Sequence, residues 1–341
     1  MRRALSIPLA AALVLCAMPA FAQVKASAQN VPEIPYDSVP NFLKLPPGRY
    51  LGEAIGVATN SKGHVFVYTR SANTQLFEFD QNGVFVREIG AGAYNFEFAH
   101  SVRVDPQDNI WVVDEGTNTI TRFNPEGHIT MVLGRRPPAV LGMPQAPLPG
   151  PKPPAAKYTF GRPTDVAWDP QGNIFISDGY VNHRVVKYDK DGRFLAQVGS
   201  EKPGSAVGEL NLPHGLSVDL AGNVYVADRT NTRMQVFDNN LKPKAVYDNI
   251  GDSWSTCVSP GPHQYLFTSN SNPNGNAPGT WETTGEIYKM ELDGKIVGKF
   301  GHAGKGPGAF QVVHMMDCRN PNEIIVSEIE SWRVQKITLK P

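Results

Sequence analysis

One ten-residue segment recurs along this chain and limits the folds that the chain can adopt. It is a turn of the pattern Asp-x-x-Gly/Asp-Asn followed by a strand of β-branched and aromatic residues that ends in Asp. Clear copies occupy residues 105–114, 169–178 and 219–228, and weaker copies occupy residues 60–69, 263–269 and 320–328. Six similar segments in one chain predict a repeat architecture.

Each copy lies in a longer unit that predicts four short strands. A short apolar strand precedes the segment, and two further strands follow it, such as residues 184–188 and 194–199 in the third unit. Four antiparallel strands repeated at roughly 40–60 residues are typical of a β-propeller blade. The 32 Gly and 29 Pro residues favour many turns and argue against a helical bundle. We therefore predict an all-β, six-bladed β-propeller, and the repeats resemble the NHL type.

The sixth unit ends after its third strand, which leaves one sheet edge open. The segment 34–45 is the candidate to add the missing outer strand and close the ring, and its prolines are tolerable on an edge strand. We accordingly divide the chain into an N-terminal segment, 23–49, and a propeller, 50–341. Residues 135–158 form a predicted Pro-rich loop insertion, and residues 270–284 form a second long loop.

The first 22 residues have the pattern of a signal peptide. Arg2 and Arg3 precede a short apolar run that ends at Ala20-Phe21-Ala22, a small-x-small cleavage pattern. The run is too short to cross a bilayer. We expect cleavage after Ala22 and a secreted or periplasmic protein, in which a disulfide bond between Cys257 and Cys318 is possible but not required.

Charge and motifs exclude several functions. The 32 basic and 32 acidic side chains balance, so a nucleic-acid partner is not expected. No Gly-x-Ser-x-Gly elbow, phosphate loop or Cys-x-x-Cys pair supports serine-hydrolase, nucleotide or thiol-redox chemistry. We expect a monomer with no membrane partner, acting on a small molecule or peptide.

Three histidines share one position in the repeat. His100, His214 and His314 each begin the first strand of a unit, in units two, four and six. First strands line the channel of a propeller, and alternate blades are about 120° apart in a six-bladed ring. Three imidazoles at equal depth would converge on the axis and bind one zinc ion with an open fourth position. A single histidine would more simply be a structural residue, but three at one register favour the metal.

Other side chains lie where second strands end, at the same face of the ring. They are Arg70, Tyr180 and Arg229. Arginine binds carboxylates through paired hydrogen bonds, and a tyrosine beside a metal and an arginine can have a lowered pKa and act as a base. Alternatively, the arginines are solvated rim charges and the tyrosine is a turn residue. The recurrent Asp114, Asp178 and Asp228 are interpreted as turn caps, since they occur once per blade.

The residues around these positions resemble one family of enzymes. The segments Pro-Thr-Asp-Val at 163–166, Ser-Asp-Gly-Tyr at 177–180, Pro-His-Gly-Leu at 213–216 and Ala-Asp-Arg at 227–229 are similar to the peptidyl-α-hydroxyglycine α-amidating lyase family, and the similarity extends over most of residues 50–340. The resemblance implies a six-bladed propeller in which His100, His214 and His314 bind one Zn²⁺. It also implies that an α-hydroxyglycine-type amide is cleaved to an amide and glyoxylate.

The resemblance further implies a role for each remaining site residue. Tyr180 would take the proton of the substrate hydroxyl, Arg229 would stabilise the tyrosinate, and Arg70 would hold the substrate carboxylate. The family has a calcium-binding aspartate after its third histidine, where this chain has Met315, so a structural Ca²⁺ is not expected. Val181 replaces a disulfide-forming cysteine of the family.

Two other functions are consistent with the sequence. An exported NHL-repeat propeller can bind a protein or a glycan without catalysing a reaction. A metal-bearing propeller can instead hydrolyse lactones or esters, although such enzymes usually have carboxylate-rich calcium sites. The histidine set favours the lyase over both.

Overall fold

The computed structural model describes residues 31–71, 73–136, 155–271 and 284–340. They contain six four-stranded antiparallel sheets, of which the innermost strands contact one another in a closed ring. The predicted signal peptide lies outside the described residues, as do most of the two predicted long loops. The predicted six-bladed β-propeller is confirmed.

Blades one to three follow the order of the chain. Each begins at the axis and ends at the outer edge. Blade one contains β2 (Glu53–Thr59), β3 (Val65–Arg70), β4 (Gln75–Phe79) and β5 (Phe85–Ile89), and blade two contains β6 (Ala99–Val104), β7 (Ile110–Asp114), β8 (Thr119–Phe123) and β9 (Ile129–Gly134). Blade three contains β10 (Asp165–Trp168), β11 (Ile174–Asp178), β12 (Arg184–Tyr188) and β13 (Phe194–Gly199).

Blades four to six complete the ring. Blade four contains β14 (Pro213–Val218), β15 (Val224–Asp228), β16 (Arg233–Phe237) and β17 (Pro243–Tyr247), and blade five contains β18 (Ser253–Val258), β19 (Tyr265–Asn270), β20 (Glu286–Glu291) and β21 (Ile296–Phe300). Blade six contains β24 (Val313–Asn320), β25 (Glu323–Glu328), β26 (Arg333–Leu339) and, from the N-terminal segment, β1 (Tyr36–Pro40). A short 3₁₀ turn (Arg229–Asn231) follows β15, and two-residue strands β22 (His302–Ala303) and β23 (Ala309–Phe310) pair in parallel.

The ring closes through the N-terminal strand, as the sequence predicts. Strand β1 pairs antiparallel with β26, from Tyr36 opposite Leu339 to Pro40 opposite Gln335. The closing strand is shorter than the predicted segment 34–45. A disulfide bond between Cys257 and Cys318, which the sequence left open, joins the innermost strands of blades five and six.

The repeated aspartates hold the turns between first and second strands. Asp105 accepts backbone N–H hydrogen bonds from residues two and four positions later, both at 2.9 Å, and the indole N–H of Trp111 at 2.9 Å. The aspartates at strand ends act in the same way: the Asp114 carboxylate accepts the backbone N–H groups of Glu97 and Phe98, each at 2.9 Å. These bonds match the interpretation of the strand-end aspartates as turn caps.

The core lies between adjacent blades. Trp111, Phe175 and Tyr225, which share one position in the repeat, are all buried. At the axis, the innermost strands approach so closely that a Cβ on Gly215 would lie 2.7 Å from the backbone nitrogen of Thr256. Small residues at the axis therefore allow the strands to bring their first residues together. In the part of the chain that the structure describes, no helix is both long and apolar enough to cross a membrane.

Candidate metal centre and active site

The three predicted histidines converge at one end of the channel. His100, His214 and His314 lie at the starts of β6, β14 and β24, where the pairing of each strand with its neighbour is shifted by a bulge. Their ring centroids are 4.7–4.9 Å apart, and a possible ligand atom of each lies within 4.8 Å of the others. A bulge turns a side chain away from the regular alternation of a strand. Here it accompanies three imidazoles that face one point.

The neighbouring blades orient each imidazole. The Nδ1 atom of His100 lies 2.6 Å from the carbonyl oxygen of Thr164, that of His214 lies 2.7 Å from the oxygen of Trp254, and that of His314 lies 2.6 Å from the oxygen of Ile55. A carbonyl only accepts, so Nδ1 carries the proton and Nε2 keeps a free lone pair. A metal-binding histidine usually donates its other ring N–H to a carbonyl or a carboxylate in this way.

The free nitrogens fit a divalent metal. Nε2 of His214 is buried and has no hydrogen-bond partner in the part of the chain that the structure describes. Burial lowers the pKa of all three imidazoles, and that of His214 falls to about 3. Neutral imidazole is the form that coordinates a metal. The donor set therefore fits zinc, which three histidines hold with an open position.

Tyr180 lies beside this centre. Its hydroxyl oxygen is 3.3 Å from Nε2 of His100, and the charge of the Arg229 guanidinium acts on the phenol. Gly179 allows this placement, because a Cβ there would lie 2.1 Å from the carbonyl oxygen of Pro213.

The pKa of Tyr180 differs from the expectation drawn from the sequence. Burial raises it, with a further increase from Glu115, while Arg229, Arg70 and Arg162 act in the opposite direction. Among the protein groups alone, burial outweighs the three arginines. The expected lowering of this pKa would have to come from an additional positive charge at the histidines.

The two predicted arginines are anchored rather than freely solvated. The Arg229 guanidinium lies 3.4 Å from the ring centre of Trp254, an indole that also packs on His214. Arg70 donates from Nε to Glu53 at 2.7 Å, and its guanidinium lies 3.9 Å from the ring centre of Phe98. Arg229 thus stacks on an indole of the histidine site, whereas Arg70 shares its charge with a carboxylate.

Sequence reasoning missed two charged residues of this site. Oε2 of Glu115 lies 3.6 Å from Nε2 of His100, and Arg162 donates to the other carboxylate oxygen at 2.5 Å. The signal was present in the repeat, because Glu115 occupies the repeat position of Arg70 and Arg229, at the end of the second strand.

An ion pair lies farther along the channel from the histidines. Arg103, three residues after His100 on β6, donates to both carboxylate oxygens of Asp165, at 3.0 and 2.6 Å. It also donates to the carbonyl oxygens of Thr256 at 3.0 Å and Met316 at 3.3 Å. Met315, at the position of the family's calcium-binding aspartate, is buried. A guanidinium therefore supplies a positive charge inside the channel.

Known proteins share both the repeats and the sequence. The NHL repeat family matches residues 160–188 and 210–237. A Caenorhabditis elegans protein named probable peptidyl-alpha-hydroxyglycine alpha-amidating lyase is 29% identical over 217 residues, which cover 57% of this chain and 58% of that protein. Mouse NHL repeat-containing protein 3 is 30% identical over 231 residues, which cover 64% of this chain and 60% of that protein. The matched part is therefore less than two thirds of either relative.

A solved structure supports the fold alone. A gluconolactonase from Xanthomonas campestris superposes with a TM-score of 0.60 at 13% identity, covering 92% of this chain and 96% of that structure. The sequence relatives confirm the resemblance drawn from the motifs: the chain is a six-bladed β-propeller with NHL repeats, related in sequence to proteins named peptidyl-α-hydroxyglycine α-amidating lyase.

Proposed function

We propose that this chain is an exported, zinc-dependent carbon–nitrogen lyase that cleaves an α-hydroxyglycine-type amide to an amide and glyoxylate. The observation that carries the proposal is the convergence of three buried Nε2 atoms beside the hydroxyl of Tyr180. The sequence relationship to lyase-named proteins supports the reaction class. The signal-like segment 1–22 and the disulfide bond support export.

The three histidines would hold the ion. Zinc bound there would act as a Lewis acid and lower the pKa of a substrate hydroxyl. The carbonyl partners of the Nδ1 atoms already hold the imidazoles in the required tautomer. Because the site is buried, hydrogen bonds and charges in it act more strongly than they would in water.

Tyr180 would move the proton of the reaction, and Arg229 would stabilise the ionised form of Tyr180. As a tyrosinate beside the Arg229 guanidinium, Tyr180 would take the proton of the substrate hydroxyl and become a neutral phenol. As the hydroxyl carbon becomes a carbonyl, the carbon–nitrogen bond breaks and its electron pair stays on nitrogen. Tyr180 then returns the proton to that nitrogen, so the products are the neutral amide and glyoxylate.

Arg70 would hold the substrate carboxylate. The Nε–H group of Arg70 donates to Glu53, and one Nη1–H group donates to the carbonyl oxygen of Ala99. A guanidinium has five N–H donors, so donors remain for a carboxylate. The ring of Phe98 beneath the guanidinium keeps that group in place.

A combined metal and product assay tests the proposal. We expect about one zinc per chain, bound by His100, His214 and His314, and glyoxylate release from α-hydroxyhippurate. Tyr180→Phe should lower kcat by about 10²–10⁴-fold and keep the zinc, because general acid–base catalysis contributes that much. His214→Ala should lose both zinc and activity.

A conservative control separates this effect from a general effect of removing a phenol. Tyr94→Phe alters an exposed tyrosine that stacks with Arg136, and it should change neither readout. Native protein without a divalent metal would support a non-catalytic propeller that binds a protein or a glycan. Zinc without glyoxylate release, but with hydrolysis of lactones or esters, would support a hydrolase.

A further inference from the structure

Glu115 combines deep burial with an unused hydrogen-bond acceptor. Its side chain is 3% exposed, and its Oε2 atom has no hydrogen-bond partner in the part of the chain that the structure describes. An unsatisfied buried acceptor destabilises the folded protein, and a charged one does so more strongly. Such a group usually persists because a ligand completes it.

Other buried carboxylates at the ends of second strands are satisfied within the protein. Asp178 accepts from Gly161, Asn182 and Arg184, and Glu328 accepts from Gln311, Arg333 and Gln335. A structural role in the blade therefore requires no free oxygen at this end of the strand. The unused atom of Glu115 sets it apart.

The free oxygen lies at the proposed reaction centre. It is 3.6 Å from Nε2 of His100, the nitrogen that faces the point shared by the histidines. Glu115 is not itself part of the set whose possible ligand atoms all lie within 4.8 Å of one another, among the described residues. Its carboxylate is placed beside the metal position rather than in it.

Arg162 holds the carboxylate in this orientation. It donates to Oε1 at 2.5 Å, and its guanidinium lies 4.5 Å from the ring centre of Tyr180. One oxygen of Glu115 is thus fixed by a cation, and the other faces the histidines.

We infer that Glu115 is a specificity-determining residue whose Oε2 accepts a hydrogen bond from the substrate hydroxyl in the bound complex, before that proton passes to Tyr180. This inference rests on the proposed function. A substrate bound at the histidines places its hydroxyl beside this oxygen, whereas the substrate carboxylate is repelled from it and directed to the arginines. The ligand class is therefore an N-acylated glycine with a hydroxyl on its α-carbon, in preference to the same compound without that hydroxyl.

The amide variant of this residue gives a sharp test. In Glu115→Gln, the amide oxygen should face Arg162, since a guanidinium only donates, and the NH₂ group then faces the histidines. An acceptor is thereby replaced by a donor of nearly the same shape. The ligands are α-hydroxyhippurate and hippurate, which differ only in the hydroxyl.

Calorimetric titration of zinc-loaded protein measures the ratio of the two dissociation constants, with Tyr180→Phe present throughout to prevent turnover. We expect E115Q to reduce the preference for the hydroxylated ligand by about tenfold or more, the usual contribution of a hydrogen bond to a charged group. Glu115→Asp keeps the acceptor and should keep most of the preference. Glu97→Gln, in an ion pair with Arg136 on the surface, is the matched control and should have no effect.

The outcomes separate the two proposals. An unchanged ratio in E115Q, with zinc content and glyoxylate release by the wild-type protein both as expected, overturns the role of Glu115 alone. Wild-type protein that releases no glyoxylate and binds neither ligand overturns the lyase function, and the role of Glu115 with it. If E115Q folds poorly, E115D provides the test. Equal dissociation constants of E115D for α-hydroxyhippurate and hippurate also overturn the role of Glu115.

Discussion

Buried polar groups lie on the axis at two places in the channel, and the two places differ in whether these groups have hydrogen-bond partners. At one end, Nε2 of His214 and Oε2 of Glu115 are buried without hydrogen-bond partners in the described chain. Farther along, Arg103 and Asp165 form a bidentate ion pair that is completed by backbone groups of three other blades. The second region also lines a cavity of about 340 Å³ at the opposite mouth.

This difference distinguishes a ligand-binding site, at the histidines, from a structural ion pair, between Arg103 and Asp165. Asp165 accepts backbone N–H groups of Val166 and Leu216 in addition to Arg103, so this pair has its hydrogen bonds inside the protein. A satisfied buried network stabilises one arrangement of the blades and needs no ligand. An unsatisfied one costs stability until something binds. We accordingly expect catalysis at the histidine end, and we expect the Arg103–Asp165 pair to contribute to the free energy of unfolding.

The largest predicted effect concerns the ion pair. Arg103→Met should reduce the free energy of unfolding by about 3–5 kcal/mol, because it leaves the buried carboxylate of Asp165 without its cation. Urea denaturation measures this. Removing one partner of the surface pair Lys336–Glu323, as in Lys336→Met, should cost less than about 1 kcal/mol. Equal losses in the two variants would contradict a special role for the channel pair.

Stabilisation by zinc should depend on the histidines at one end of the channel and not on the ion pair farther along it. Ligand binding to the folded state alone stabilises it by about 4.1 kcal/mol when the free ligand is 1,000 times the dissociation constant. We expect a zinc-dependent rise in Tm in the wild-type protein and in Arg103→Met, but none in His214→Ala. Calorimetric scans with and without a chelator check this. A rise of the same size in His214→Ala would show that the ion binds elsewhere.

A smaller effect follows from the buried imidazole. The pKa of His214 is about 3 in the folded protein against 6.5 for an ordinary histidine, so the unfolded chain binds the proton first as the pH falls. The contribution of neutral His214 to the free energy of unfolding is therefore fully present above pH 6.5 and is lost as the pH falls from 6.5 to 3. With chelator present, this group should contribute a slope of up to about 1.4 kcal/mol per pH unit.

The comparison with His214→Asn reveals that slope, because groups other than the two neighbouring histidines, whose pKa values His214 also lowers, titrate equally in both proteins. Urea midpoints between pH 7 and 4.5 are sufficient. Parallel curves for the two proteins would indicate that the His214 imidazole takes up its proton at the same pH in the folded and unfolded states, which would contradict its assignment as a neutral ligand.

The repeat made most of the fold predictable. The predicted strands 184–188 and 194–199 coincide with the observed β12 (Arg184–Tyr188) and β13 (Phe194–Gly199), because turn chemistry and alternation are local properties. The convergence of the three histidines was also predictable, since equal positions in alternate blades become equal positions around an axis.

The polar pairings around the axis were not predictable in the same way. Arg103 and Asp165 are 62 residues apart, and nothing in their local sequence distinguishes them from other charged residues. Glu115 shares a repeat position with Arg70 and Arg229, but the repeat does not show which of these side chains is paired. The pKa of Tyr180 depends on the depth of burial, which is a property of packing.

The sequence by itself determined the blade, the number of blades and the position of each histidine within its blade, because these depend on short-range turn and strand preferences that repeat. Only the tertiary structure decided which polar atoms are satisfied, namely the paired guanidinium of Arg103 and the unpaired oxygen of Glu115. Hydrogen-bond satisfaction depends on side chains from several blades meeting at one point, and that meeting exists only when the ring is closed.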